Sequence, residues 1–337
     1  MKLLVLGGTR FLGRHFVDAA LAGGHDVTIF TRGREPIPWG DAVTRLVGNR
    51  DPDTAPGLDA LAAGEWDGVV DTSGYLPRHV RAAAATLDGR VAHYLFVSSL
   101  SVYADASRAD QDESAALASL ADPASEDVAA DYGALKAACE REVRSVFGER
   151  AAIVRPGLIV GPHDPTDRFS YWVARFLRPE LVGDRGTAAV VPAPHTRPIQ
   201  FIDARDLASW MLDLALSRTA GVFNACSPPR HWTMGALVDA LRSRESAVVP
   251  TWIDENALVR CGVEPWTELP LWIPQSDRTM AGFMEFACAK ARAHGLCFRP
   301  LEETLDDTAA WLSVRDNSAA WTHTLSAARE RLLLQPR

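Results

Sequence analysis

The chain lacks cysteines at metal-binding or disulfide-framework spacing. Its five cysteines, at 139, 226, 261, 288 and 297, are scattered with no C-x-x-C pair. An odd, unpatterned set reads as reduced thiols, which argues for a cytoplasmic location and against a structural zinc site. Basic charge is also in deficit, with 35 Lys and Arg against 43 Asp and Glu and a formal net charge of −8. That balance offers no broad basic face to a nucleic-acid backbone. No apolar run approaches the ~18 residues needed to cross a bilayer. Met1 opens straight into a strand-like run, with no signal-peptide pattern. Membrane and nucleic-acid partners are therefore not expected. Internal repeats and low-complexity linkers are absent too. What remains is 337 residues, 47% of them hydrophobic, enough for one large α/β domain or a domain with a smaller lobe.

Strand-like and helix-like patterns alternate through the first half. Strands are expected at 2–7, 26–31, 43–47, 67–72, 92–99 and 151–156, with helices at 11–22, 77–87 and 132–147. This βαβ alternation predicts a doubly wound parallel sheet with right-handed crossovers and a ligand site beyond the carboxyl ends of its strands. Residues 1–156 would form most of a dinucleotide-binding domain, with the sheet completed by about 200–225. Residues 157–337 would mainly form a substrate-binding lobe of interleaved segments, with helices expected at 204–216, 234–242 and 301–312. Ala104 to Asp131 carries eight acidic residues and one basic residue, Arg108. It reads as a solvated loop, with a lid over the site as the alternative.

Residues 7–13, GGTRFLG, follow the first strand and open the first helix. Glycine loops in this setting cradle dinucleotide phosphates. Gly7 suits the tight turn, and Gly13 lets helix and strand pack closely. The middle glycine is missing: Arg10 takes its place, which is tolerable if the backbone there needs no positive φ. Tyr132-Gly-Ala-Leu-Lys136 sets a tyrosine and a lysine on one helical face. A nearby ammonium is expected to favour the phenolate, making Tyr132 a candidate acid/base. Upstream, Ser98-Ser99-Leu100-Ser101-Val102-Tyr103 ends the fifth strand and puts hydroxyls at the sheet edge.

Taken in order, GGTRFLG, VSSLSVY, YGALK and RPGLIVGP (155–162) resemble the extended short-chain dehydrogenase/reductase superfamily, the group of NAD(P)-dependent nucleotide-sugar epimerases and dehydratases. The resemblance spans residues 1 to about 225, and KARAHGLCFRPLEETLDDTAAW (290–311) is weakly similar to the family's closing segment. It implies a Rossmann-like fold and a catalytic set of Ser99, Tyr132 and Lys136. It also implies cofactor contacts from Gly7, Thr9, Arg10, Phe11, Leu12, Gly13, Arg32, Asn49, Arg50, Ser73, Gly74, Tyr132, Lys136, Pro156, Gly157 and Leu158. Ser101, His163, Arg168 and Arg197 are candidate substrate contacts. Metal binding at His163 to Arg168 lacks the spacing and a third ligand, so no metal is expected. Trp266 and Trp272 are open between lining an apolar substrate pocket and packing the small lobe.

Three departures from the family pattern carry information. Thr31, followed by Arg32 and Arg34, stands where NAD-preferring members place an acid. Arginines there would clamp a 2′-phosphate, with Arg10 adding to the clamp, so NADP(H) is favoured over NAD(H). Leu100 and Ser101 replace the Asp-Glu pair of the family's 4,6-dehydratases, which disfavours water elimination. Ile199 occupies the slot of an arginine that binds the substrate diphosphate, and Arg197 lies two residues upstream. The leading expectation is an NADP(H)-dependent oxidoreductase acting on a carbonyl or secondary alcohol. A sugar or nucleotide-sugar epimerase is the alternative. From another class, the GGTRFLG loop also resembles that of plant chloroplast stem-loop RNA-binding proteins. The expected partner is a small-molecule substrate, with a homodimer left open.

Overall fold

The computed structural model describes residues 1–183, 186–316 and 320–335. The first half builds strands β1 (Lys2–Leu6), β2 (Asp26–Thr31), β3 (Val43–Val47), β4 (Trp66–Asp71), β5 (Val91–Val97) and β6 (Ala151–Pro156). Helices α1 (Phe11–Ala22), α2 (Pro77–Leu87) and α3 (Val128–Phe147) follow β1, β4 and β5. After β6 come the short strands β7 (Leu158–Val160), β8 (Ala188–Pro192), β9 (Pro198–Ile199) and β10 (Phe201–Asp203), with helix α4 (Ser170–Leu177) among them. Helix α5 (Ala204–Ser217) then leads into β11 (Gly221–Ala225). Seven parallel strands form the main sheet in the order β11-β6-β5-β4-β1-β2-β3. The order reverses at β1, which puts the switch point beside the glycine loop.

Period-two alternation explains why both faces of the sheet are covered. Leu3 and Val5 of β1 face one way, into a core with Phe16 and Val17 of α1 and Leu207 and Met211 of α5. Leu4 and Leu6 face the other way, against Val80 and Leu87 of α2 and Val143 and Phe147 of α3. A third core belongs to the later segments. Phe169, Trp172 and Phe176 in and beside α4 pack there with Val190 of β8, Leu237 and Leu241 of α6 (Met234–Arg242), and Leu305 and Leu312 of the helix Leu301–Leu312. Small sheets trim this lobe: β7 with β10, β9 with β12 (Trp232–Thr233), and β8 with β13 (Val249–Ile253). Trp272 is fully buried in this core, so its role is packing. Trp266 is half-buried, edge-on to Phe283 and under the Arg168 guanidinium.

The acidic stretch 104–131 is strapped to the lobe rather than free. Backbone amides of Asp110, Gly282 and Ala287 donate to the carbonyls of Glu285, Ala106 and Gln111. Arg230 adds ion pairs to Asp110 and Glu285. Helix α3 also starts earlier than the expected Tyr132. Asp127 caps it through Oδ1, which accepts from the Ala129 and Ala130 amides, and the non-helical Asp131 marks a break before Tyr132.

Candidate active site

A cleft of about 890 Å³ runs along the carboxyl edge of the sheet. Its lining includes Gly7, Thr9, Arg10, Phe11, Leu12, Gly13, Arg32, Asn49, Arg50, Ser73, Ser99, Tyr132, Lys136, Pro156 and Gly157. The structure thus brings the loop, the Y-x-x-x-K pair and the β5 serines to one place. Gly74 and Leu158, also expected at the cofactor, lie just off this lining. Gly74 contributes through its carbonyl.

The glycine loop is a cradle that side chains would fill. Gly7 and Gly8 have φ of +111° and +98°. A Cβ on Gly7 would lie 2.6 Å from Thr72 Oγ1, and one on Gly13 would lie 2.8 Å from the Gly8 backbone nitrogen. Arg10 has φ −127° and ψ 145°, extended backbone open to any residue, so the missing glycine costs nothing there. The left-handed conformation falls one residue later, on Phe11, at φ +39°. Arg10 is the N-cap of α1 and its side chain caps nothing. The first-turn amides of α1 therefore remain available to an anion. The residues present fit a dinucleotide's pyrophosphate.

Around the cradle, Thr72 and Ser73 hydroxyls both donate to the Leu6 carbonyl and tie β4 to β1. Arg50 lines the cleft but is not free. Its guanidinium grips the buried Asp71 in a two-pronged ion pair and donates to Ser73 Oγ at 3.1 Å. The Tyr94 hydroxyl donates to Asp71 at 2.8 Å. Burial alone would push the Asp71 carboxyl up, but Arg50 outweighs it and holds the group below the usual carboxylate range. Asp71 and Tyr94 were not read from the sequence. An acid and a tyrosine inside apolar strands were the available signal. Asn49 also lines the cleft, and its Oδ1 accepts from the Asp51 amide.

At the β5 end, Ser99 Oγ accepts from the Ser101 amide at 3.1 Å and caps the 3-10 turn Leu100–Val102. That turn meets α3 at Gly133, where a Cβ would lie 2.0 Å from the Ser101 carbonyl oxygen. The close approach sets Tyr132 beside Ser99. Burial pushes the Tyr132 phenol up to about 12, with the Tyr75 phenol acting in the same sense and the Ser99 hydroxyl opposing it. The Lys136 ammonium donates to the carbonyls of Gly74 at 2.7 Å and Val97 at 2.6 Å. Its Nζ lies 4.2 Å from the Phe96 ring centroid. Burial pulls Lys136 down to about 8. This corrects the expectation that Lys136 lowers the Tyr132 pKa: its charge is turned into the backbone, and burial dominates the phenol.

Beneath the site, Ser98 Oγ donates to Glu140, one turn beyond Lys136. Glu140 forms a buried ion pair with Arg155, which also donates to the Tyr103 hydroxyl.

The candidate substrate residues lie off the cleft lining. Arg197 is buried with its guanidinium on Glu255 and the Ala193 and Ile273 carbonyls. Arg168 serves the Trp266 carbonyl and His323. His163, at φ +69°, packs between His15 and Trp311, and burial pulls it down to about 4. Ser101 supports Ser99 through its amide. Among the described residues, no cluster of His, Cys, Asp or Glu could hold a metal, and no helix is long and apolar enough to cross a membrane.

Comparison with known proteins agrees with this fold. The fold is similar to UDP-glucuronic acid 4-epimerase from Bacillus cereus, solved in complex with NAD: TM-score 0.66, 14% identity, 95% of this chain and 100% of that one covered. It is also similar to TunA, an NAD-dependent NDP-hexosamine 5,6-dehydratase, with TM-score 0.64, 19% identity and coverage of 94% and 99%. A shorter stretch of 116 residues is 31% identical to the chloroplast stem-loop binding protein of 41 kDa b from Arabidopsis thaliana. It spans 30% of this chain and only 30% of that protein's length. Residues 3–226, about two thirds of the chain, match the NAD dependent epimerase/dehydratase family, and the chain belongs to that family of NAD(P)-dependent enzymes.

Proposed function

We propose that the chain is an NADP(H)-dependent oxidoreductase that moves a hydride to or from a carbonyl or secondary-alcohol carbon. The observation that carries this reading is the meeting of Ser99, Tyr132 and Lys136 in the cleft that also holds the glycine cradle. Gly7, Gly13 and the first-turn amides of α1 would hold the pyrophosphate. The nicotinamide, when bound, supplies or accepts the hydride. The chain's own residues manage the oxygen. With its pKa raised to about 12, Tyr132 carries its proton at neutral pH and can donate it to the substrate oxygen. Ser99, with its lone pair held by the Ser101 amide, offers its O–H to the same oxygen. Lys136 spends two of its three N–H donors on Gly74 and Val97, leaving one for the ribose. The later lobe would cover the substrate.

NADP(H) preference is supported by Thr31 at the end of β2 and by Arg32 and Arg34, both exposed along the cleft. Arg10 lies on the same rim, paired with Glu35. Calorimetric titration tests the preference, with NADPH expected to bind more tightly than NADH. Arg32→Ala should weaken NADPH by roughly 1–3 kcal/mol, the scale of a hydrogen bond to a charged group, and leave NADH nearly unchanged. Equal or tighter NADH binding would contradict the reading. Family membership favours an epimerase as the second reading, and a co-purified dinucleotide with no net turnover would select it. The net charge of −8 weighs against an RNA-binding role.

A further inference from the structure

Charge is unevenly distributed along the cleft. Arg32 and Arg34 follow β2 and are exposed, whereas Arg50 after β3 is paired with Asp71, and Arg10 in the adjoining loop with Glu35. In the sheet order these lie on the side away from β5 and β6. Near Ser99 and Tyr132 the lining instead includes Tyr75 and Leu76, which follow β4, and Val128 at the start of α3. The cation among the described lining residues at that end, Lys136, is buried and bound to two carbonyls. Arg168 and Arg197, which could have carried charge in from the lobe, are committed to partners within it.

Tyr75 is an exposed aromatic ring at this end. It remains 48% exposed, although it lines a cleft. Its ring centroid lies 5.5 Å from Lys136 Nζ, and its phenol is near enough to act on that of Tyr132. Among the described residues its hydroxyl has no hydrogen-bond partner. An aromatic face turned to solvent beside the reacting oxygen suits an apolar group. A diphosphate there would lose its hydration without gaining cations.

Resting on the hydride-transfer reading, we propose that the substrate is an uncharged ketone, or its secondary alcohol, whose apolar or aromatic group packs on the Tyr75 ring, and not a nucleoside-diphosphate sugar. In the reducing direction a C–H bond forms at the carbonyl carbon, the C=O π bond breaks, and the oxygen takes its proton from Tyr132. One NADPH is consumed, and solvent returns the proton to the phenol.

NADPH consumption by the full chain tests this with neutral aryl and alkyl ketones, UDP-glucose and UDP-glucuronic acid. The ketones should be reduced, with KM falling as the apolar group grows. The UDP-sugars should be neither turned over nor competitive with the ketones. Tyr75→Ala should raise the ketone KM by roughly 10-fold or more with little change in kcat, the scale of a lost apolar contact, while Tyr75→Phe stays near wild type. Failure to reduce any neutral ketone, competition by a UDP-sugar, or an unchanged KM in Tyr75→Ala would overturn the proposal. Turnover of a UDP-sugar in its place would leave the hydride-transfer reading standing. Wild-type turnover in Tyr132→Phe would remove that reading instead.

Discussion

Tyr132 and Lys136 lie one helical turn apart, yet burial drives their proton equilibria in opposite senses. The phenol rises to about 12 and the ammonium falls to about 8, because burial disfavours the charged form of each. Sequence spacing showed that the two share a face, but not that the Lys136 ammonium turns toward the Gly74 and Val97 carbonyls. A stability signature follows. Between about pH 8 and pH 10.5, folded Lys136 has released its proton while the unfolded side chain, with its ordinary pKa of 10.5, still holds one. The unfolded state binds more protons there, so this group makes stability rise with pH across the window. Lys136→Met lacks that contribution. Denaturant unfolding of both proteins across the window should show the wild type gaining stability relative to the variant as pH rises. Parallel stability curves would contradict it.

At the scale of elements, α3 depends on a glycine whose purpose only the packing reveals. Gly133 sits inside a helix, where glycine is ordinarily a penalty. Here the 3-10 turn after β5 comes so close that a Cβ would meet the Ser101 carbonyl oxygen at 2.0 Å. Gly133→Ala should therefore lower stability by about 1–3 kcal/mol, the usual cost of overpacking. It should also cut turnover more than dinucleotide affinity, because it separates Tyr132 from Ser99 and leaves the glycine cradle alone. Unfolding and calorimetry on that variant check both. The parallel strands were legible in sequence because most are short, largely apolar runs bounded by turn residues. The start of α3 was not, because its capping Asp127 lies within an acid-rich stretch that reads as loop. The pairing of β8 with β13 was equally hidden, since no local pattern announces a partner beyond two helices. Arg197 and Arg168 show the same limit for sites. A charged residue near a motif reads as a ligand contact until Glu255 or His323 is found holding it.

The whole molecule joins a two-faced sheet to a lobe with its own core, and polar seams tie the two together. Asp203, at the end of β10, caps α5 and accepts from Thr304 of the helix Leu301–Leu312. His163 wedges between His15 of α1 and Trp311. The cleft lies at the carboxyl edge of that sheet, and the proton chemistry proposed for it rests on one hydroxyl. Turnover by Tyr132→Phe, measured beside its dinucleotide affinity, tests that claim most directly. The substitution keeps the ring and removes only the oxygen, so affinity should hold and the rate should fall by about 100-fold or more, the scale of general acid/base catalysis. A Tyr132→Phe protein that turns over near the wild-type rate would contradict the account.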